Sequence, residues 1–200
     1  AFNGDEGSGL HLHVSLADMQ EENACADTDA ADGLSTAAHH FIAGVMEHAA
    51  AMMVFLNPTV NSYRRIHTEA LVPTRVCWGH DHRMTLVRVP RERGAATRLE
   101  TRLGDGTANP YLASTAVLAA GLDGIKRELT PPAPIEGFLY ELPESEQGPA
   151  LPTSFAEALD AGDPLVDGVI PQFQGAGSGY DLLGEDGGGL FERRLAGLPG

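Results

Sequence analysis

The sequence predicts an α+β fold. Two stretches alternate apolar and polar side chains with the period of a strand, and two longer ones carry apolar residues at helical spacing between caps and breakers. In residues 10–16, Leu10, Leu12, Val14 and Leu16 take one face while His11, His13 and Ser15 take the other. Residues 97–103 repeat the pattern, with Leu99, Thr101 and Leu103 behind Arg98, Glu100 and Arg102. Two more strand regions are expected at 75–78 and 84–89, on either side of a polar turn. The acidic stretch 18–32 reads as a surface loop. One helix is predicted over 34–56, with Phe41, Val45, Met52 and Phe55 along one stripe and Asn57-Pro58 as its stop. Residues 59–72 show no clear period and read as loop. A second helix starts at Asn109 as N-cap with Pro110 at the first helical position, and it closes near Lys126-Arg127. Its Leu112, Val117, Leu118, Leu122 and Ile125 suit packing onto a sheet. Pro131-Pro132-Ala133-Pro134 breaks that pattern, and a short helix near 155–159 would be capped by Thr153 or Ser154. From Gln174 onward the chain has nine glycines and little periodicity, and no structure is assigned to it.

The 200 residues suffice for one sizeable domain, which would bury roughly 70% of its unfolded surface. The chain opens at Ala1-Phe2-Asn3 and enters a motif within ten residues, so it is expected to be a piece of a longer protein. No apolar run approaches the roughly 20 residues of a membrane helix, and no signal-peptide pattern opens the chain. Cys25 and Cys77 are too few for a disulfide framework and form no CxxC pair, so a reduced cytoplasmic compartment is expected. The net charge of −15 argues against a nucleic-acid partner. Its distribution is uneven. Between Arg64 and Arg102 nine arginines stand against four acids, whereas from Pro134 to the end twelve acids stand against two arginines. A positive region in an acidic protein points to a small anion, and guanidinium suits bidentate contact with carboxylate or phosphate. With a single lysine in the chain, an arginine-rich coding bias explains the same count, and composition leaves both readings open.

Position narrows the choice. His11 and Glu100 each lie on the polar face of an alternating strand, and imidazole plus carboxylate can bind a divalent cation, magnesium or manganese in preference. A hydrogen-bonded strand histidine and a cross-strand charge network are the structural alternatives. Such a network needs only one arginine, and the second beside Glu100 suggests an anion. Phosphoryl transfer accounts for all these groups together, because cations and arginines neutralise charge as it spreads over phosphate oxygens.

Several segments resemble the glutamine synthetase family. Residues 7–16, Gly7-Ser8-Gly9-Leu10-His11-Leu12-His13-Val14-Ser15-Leu16, look like its glycine–histidine strand. Asn57-Pro58-Thr59-Val60-Asn61-Ser62-Tyr63-Arg64-Arg65 resembles its glutamate-binding segment. Trp78-Gly79-His80-Asp81-His82-Arg83, continuing to Arg88-Val89-Pro90, resembles its pair of phosphate-binding arginines. Arg98-Leu99-Glu100-Thr101-Arg102, Ala108-Asn109-Pro110-Tyr111-Leu112, Ala120 to Ile125 and Leu151 to Leu159 follow in family order, so the likeness runs from about residue 6 to 159.

The resemblance implies a half-barrel of antiparallel strands with helices on its outer face, spanning residues 1–161 as the C-terminal part of a catalytic domain, with 162–200 as a divergent acidic, glycine-rich tail. It also implies an ATP-dependent carboxylate–amine ligase that joins glutamate to ammonia or a primary amine through a γ-glutamyl phosphate, working within a ring-shaped homo-oligomer. His11 and Glu100 would hold Mg2+ or Mn2+. His13, Ser15 and Arg98 would face ATP, and Arg83 and Arg88 would grip the transferring phosphate, Arg83 as a catalytic residue. Arg65 would hold the α-carboxylate of glutamate, Gly7 would lie near its amino group, and Arg102 would hold the γ-carboxylate. Further metal-binding glutamates and the smaller N-terminal domain would lie upstream.

Three departures qualify the likeness. Glu6 stands where the family usually has asparagine, Leu71 stands where the loop glutamate for ammonia is expected, and the glycine-rich tail does not match. A shifted loop alignment would give that role to Glu69. With Trp78-Gly79 and Asp81, the first two departures lean toward the γ-glutamyl-polyamine branch. The alternatives are a non-catalytic nucleotide-binding or regulatory member and, less favoured, a plain metal-dependent hydrolase. Tyr140 resembles a tyrosine that some bacterial members adenylylate, although an unmodified surface tyrosine is the expectation.

Overall fold

The computed structural model describes residues 7–66 and 72–162. Four strands, β1 (Gly9–Val14), β2 (Trp78–His80), β3 (Val87–Val89) and β4 (Leu99–Asp105), form one sheet in the order β1-β4-β3-β2. The α+β class holds, but the expected all-antiparallel arrangement does not. β4 is antiparallel to both β1 and β3, whereas β2 and β3 run parallel. Parallel pairs usually need a connection of about a dozen residues, and here six suffice because each strand is only three residues long. Asp81, at φ 50°, starts the return, a backbone region that Asp tolerates better than most residues. Residues 75–77 and 84–86, expected as strand, lie outside it.

The β1–β4 register shifts between Leu10 and Leu12, so that Arg102 and Leu103 together oppose His11. This bulge is accommodated at Gly104, where a Cβ would lie 2.7 Å from the Leu10 carbonyl oxygen. On either side of it the predicted alternation survives. Leu99 and Leu103 are buried behind the sheet, and His11 and His13 remain on the open face.

The buried side of the sheet is covered by helices. The predicted 34–56 helix is two, α1 (Thr36–Glu47) and α2 (Ala49–Leu56), bent by 73°. The Ser35 hydroxyl caps α1 by accepting the Ala38 N–H. The break falls at His48, whose buried imidazole lies 2.8 Å from Asp123 in the helix α4 (Pro110–Lys126). Beyond the break, Ala51 to Leu56 are buried on every side, which no single apolar stripe predicts. Full burial of Met52 and Leu56 contributes about 1.5–3 kcal/mol each. No single helix among the described residues is long and apolar enough to cross a membrane.

Residues 60–66, expected as loop, form α3 (Val60–Ile66). Thr59 and Ser62 cap it reciprocally, each backbone N–H donating to the other's hydroxyl at 3.2 Å. α4 starts as predicted, with the Asn109 side chain accepting the Tyr111 and Leu112 N–H groups. Its orientation differs from the prediction. The buried face is Ala113, Ala116, Val117, Ala120, Gly121 and Gly124, while Leu118 and Leu122 point outward. The small residues let α4 lie against α1 with backbones nearly touching. A Cβ on Gly124 would sit 2.2 Å from the His40 carbonyl oxygen, and one on Gly44 would sit 2.2 Å from that of Ala120. The last described helix, α5 (Phe155–Asp160), is capped by Ser154 and reaches α3 through the edge-on rings of Tyr63 and Phe155. The tail from residue 163 onward lies outside the described residues.

Gly124→Ala is therefore expected to destabilise the protein by about 1–3 kcal/mol, since neither backbone has room for a methyl group. Leu122→Ala, on the exposed face, is expected to stay within about 0.5 kcal/mol. Denaturant unfolding of the two variants measures both, and equal midpoints would show that α1 and α4 do not meet this closely.

Candidate active site

The open face of the sheet gathers most of the residues singled out by sequence. Its centre is Glu100 in β4, which is only 4% exposed. An isolated buried carboxylate would cost several kcal/mol, and four neighbours offset that. Arg88 Nη1 donates to Glu100 Oε2 at 2.7 Å. His11 Nδ1 lies 3.0 Å from Oε1, Arg102 Nε lies 3.5 Å away and His13 Nε2 3.9 Å away. Burial alone would push the Glu100 carboxyl up, but the Arg88 hydrogen bond and charge, then Arg102 and His11, carry it below the ordinary value. Glu100 is thus ionised at neutral pH.

The neighbours respond in kind. Burial, then the Arg102 charge, holds the His11 imidazole below its ordinary pKa against the upward pull of Glu100, so the neutral ring with a lone pair is favoured. Arg102 is lowered by burial and by the charges of Arg88 and Arg83, while Glu100 pulls it up. Arg83 is exposed on the 81–86 return, close enough to act on Arg102 through its charge. Two guanidinium groups therefore converge where Glu100 emerges from the sheet, with the Arg83 charge close enough to act on one of them.

Arg65 enters from α3. Its guanidinium is buried, with Nη2 donating to the Leu103 and Gly104 carbonyls at 3.0 Å each, and Asp105 lies 3.6 Å from Nε. Gly9 separates Arg65 from His11, and a Cβ there would lie 3.5 Å from both Arg65 Nη1 and His11 Nε2. Gly7 packs on the Arg65 stem, where a Cβ would come within 2.8 Å of Cγ. The expected glutamate-binding pair are thus neighbours.

Ser15 and Arg98 lie toward the other end of β1 and β4. The Ser15 hydroxyl donates to the Thr97 carbonyl at 2.8 Å, and Arg98 pairs with Glu92 at 3.2 Å. Glu6, Glu69 and Leu71 lie outside the described residues. Tyr140 is partly exposed in a short 3-10 turn, with its hydroxyl 3.3 Å from that of Thr74.

Two acidic residues of the site were not assigned roles from the sequence. Asp105 faces Arg65, and Asp81 accepts from Arg88 through Nε at 3.1 Å and through Nη2, while also pairing with Arg91. The Asp81–Arg88 pair spans seven residues and follows from the parallel β2–β3 return, which the sequence pattern does not signal. Among the described residues no group of three or more His, Cys, Asp or Glu converges as a metal site. His11 and Glu100 do offer an imidazole nitrogen and a carboxylate oxygen side by side on an open face, which fits two ligands of an oxygen-preferring divalent cation.

The chain matches the family description "Glutamine synthetase, catalytic domain" over residues 1–164. It is 43% identical over 169 residues to glutamine synthetase of Thermus thermophilus, covering 82% of this chain and 38% of that protein. It is 41% identical over 175 residues to that of Thermotoga maritima, covering 84% of this chain and 40% of that protein. Its structure resembles ligand-free GmaS with a TM-score of 0.71 at 36% identity, over 81% of this chain and 37% of that one. A GmaS/ADP complex matches equally well. The chain thus spans about two fifths of the length of these relatives. Over four fifths of its length, it belongs to the glutamine synthetase catalytic-domain family.

Proposed function

We propose that the protein to which this chain belongs is an ATP-dependent carboxylate–amine ligase that activates glutamate as a γ-glutamyl phosphate and passes it to ammonia or a primary amine. The observation that carries this reading is the convergence of Arg88, Arg102 and His11 on Glu100 at the open face of the sheet. The GmaS structure with ADP supports a nucleotide at a related site. In this reading the sheet is part of the family's half-barrel, and the protein works as a ring-shaped homo-oligomer.

His11 and Glu100 would be two of the ligands of Mg2+ or Mn2+, which when bound would neutralise phosphate oxygens. The chain's own groups do the rest. Arg65, held by the Leu103 and Gly104 carbonyls, presents a fixed positive charge beside Gly7 and Gly9 for the α-carboxylate of glutamate. Arg102 orients the γ-carboxylate toward ATP. Arg83 and Arg88 receive charge as the phosphoryl group moves, and Arg88, held by Asp81 and Glu100, is already in place and needs little reorganisation. His13, Ser15 and Arg98, spread along β1 and the entry to β4, face the nucleotide.

In the full-length protein, Glu100→Gln is expected to weaken Mn2+ binding at least about tenfold, with a far smaller effect on the melting temperature. Calorimetric titration with Mn2+ alongside thermal unfolding measures both. Unchanged affinity with a sharply lower melting temperature would make Glu100 a structural charge. Arg83→Lys keeps the charge but loses the fork, and is expected to cost on the order of 10²–10³ in kcat. A variant within a few-fold of wild type would show that Arg83 does not meet the phosphate.

The acceptor is proposed to be an alkyl amine or polyamine. Ammonia must be bound as ammonium and deprotonated, and leucine at position 71 offers neither charge nor acceptor for that. It can pack on a methylene stem at about 0.8 kcal/mol per buried CH₂. Leu71→Glu is expected to shift the kcat/KM ratio back toward ammonia, measured by steady-state kinetics with ammonium, ethanolamine and putrescine. A preference for ammonium that Glu69→Ala abolishes and Leu71→Glu leaves untouched would end the amine reading.

A further inference from the structure

We propose that Asp81 is a positioning residue that holds the Arg88 guanidinium in register for the transferring phosphate. The proposal rests on Arg88 being a phosphate-binding group in the ligase reading above.

Arg88 has three ways to donate. Its Nε–H and the nearer Nη2–H form one edge, the far Nη2–H and one Nη1–H form the end, and the second Nη1–H points back along the stem. Asp81 Oδ1 takes the first edge, receiving Nε at 3.1 Å and also Nη2. Glu100 Oε2 is met from Nη1 at 2.7 Å. The guanidinium plane is thereby fixed from two directions, and the Nη2–H beyond the Asp81 contact is left at the end of the group.

The local chain builds this restraint in. Asp81 sits at φ 50° where the chain turns out of β2, and its N–H donates to the Val89 carbonyl at 2.8 Å. Arg88 lies between Val87 and Val89 in β3, paired across the sheet with Glu100. The carboxylate is therefore anchored by backbone to the strand whose side chain it orients. Without it, the Nε edge of Arg88 would be released, and the side chain could swing to meet Glu100 through two parallel bonds, the geometry that arginine and carboxylate favour. That would turn Arg88 away from an incoming oxyanion while leaving its charge unchanged. Arg91, the other partner of Asp81, is 85% exposed at its side chain, so it serves as a control.

The test uses the full-length protein with glutamate, ATP and putrescine or ammonium. Asn is well tolerated at a left-handed position, so Asp81→Asn changes charge and acceptance with little change in backbone. It is expected to lower kcat about 10–100-fold, with the glutamate KM within about threefold of wild type and the melting temperature nearly unchanged. Arg91→Gln is expected to stay within about twofold in kcat. The deciding readout is the double variant. If Asp81 acts through Arg88, then adding Asp81→Asn to Arg88→Gln lowers kcat no further. Losses that multiply in the double variant would overturn the proposal, as would Asp81→Asn within about twofold of wild type while Arg88→Gln is strongly impaired. Should Asp81→Asn prove unstable, Asp81→Glu keeps the charge and carries the same cycle. An Arg88→Gln variant of normal activity is a separate result: it removes Arg88 from phosphate binding and takes this proposal with it.

Discussion

One buried carboxylate organises the open face of this protein. Glu100 lies in β4, between β1 and β3, and its burial is tolerable only because guanidinium and imidazole groups surround it. Arg88 reaches it from β3, Arg102 from its own strand, and His11 and His13 from β1. Every one of those side chains is where it is because the three strands hold register. The bulge opposite His11 makes room for Arg102 and Leu103 together, and Gly104 lets the β1 backbone come close enough to close the ladder beyond it.

The back of the sheet explains why the front can be so polar. Leu99, Leu103, Val87 and Val89 are buried beneath α1 and α2, and α1 is clamped in turn against α4 through glycines. Backbone contact between helices leaves little freedom for the layer to slide. A rigid layer is what a site of mutually repelling arginines requires, since a looser support would let them spread into solvent.

Much of this was legible in the sequence, and the failures share a cause. Period-two alternation placed His11, His13, Glu100 and Arg102 on one face because polar and apolar side chains of β1 and β4 divide between the two faces of the sheet, although β4 is buried along its whole length. Asn109-Pro110 marked the start of α4 because capping is local chemistry. What local pattern could not show was tertiary choice. The break at His48 depends on Asp123, 75 residues away, and all-round burial of α2 erases the stripe by which a helix face is recognised. The outward turn of Leu118 and Leu122 reflects a preference for the close α1 contact that only Ala and Gly permit. α3 was missed although Thr59 and Ser62 form a capping pair, because a two-turn helix leaves too few residues for a period. The parallel β2–β3 return was invisible for the same reason, and with it the Asp81–Arg88 pair.

The arginines themselves give the last link between structure and activity. Arg83 and Arg88 both lower the proton affinity of Arg102, which means that each of these charges raises the free energy of the others. Glu100 relieves part of that repulsion, and Asp81 relieves part at its edge. Two carboxylates against three guanidiniums leave the cluster net positive. An oxyanion arriving among them lowers the repulsion further, and a phosphoryl group in transfer, whose charge is spread over three oxygens, meets more of the donors at once than a compact carboxylate can. The cluster therefore favours the charge distribution of transfer over that of either substrate alone, which is the condition for accelerating a reaction rather than only binding its reactants.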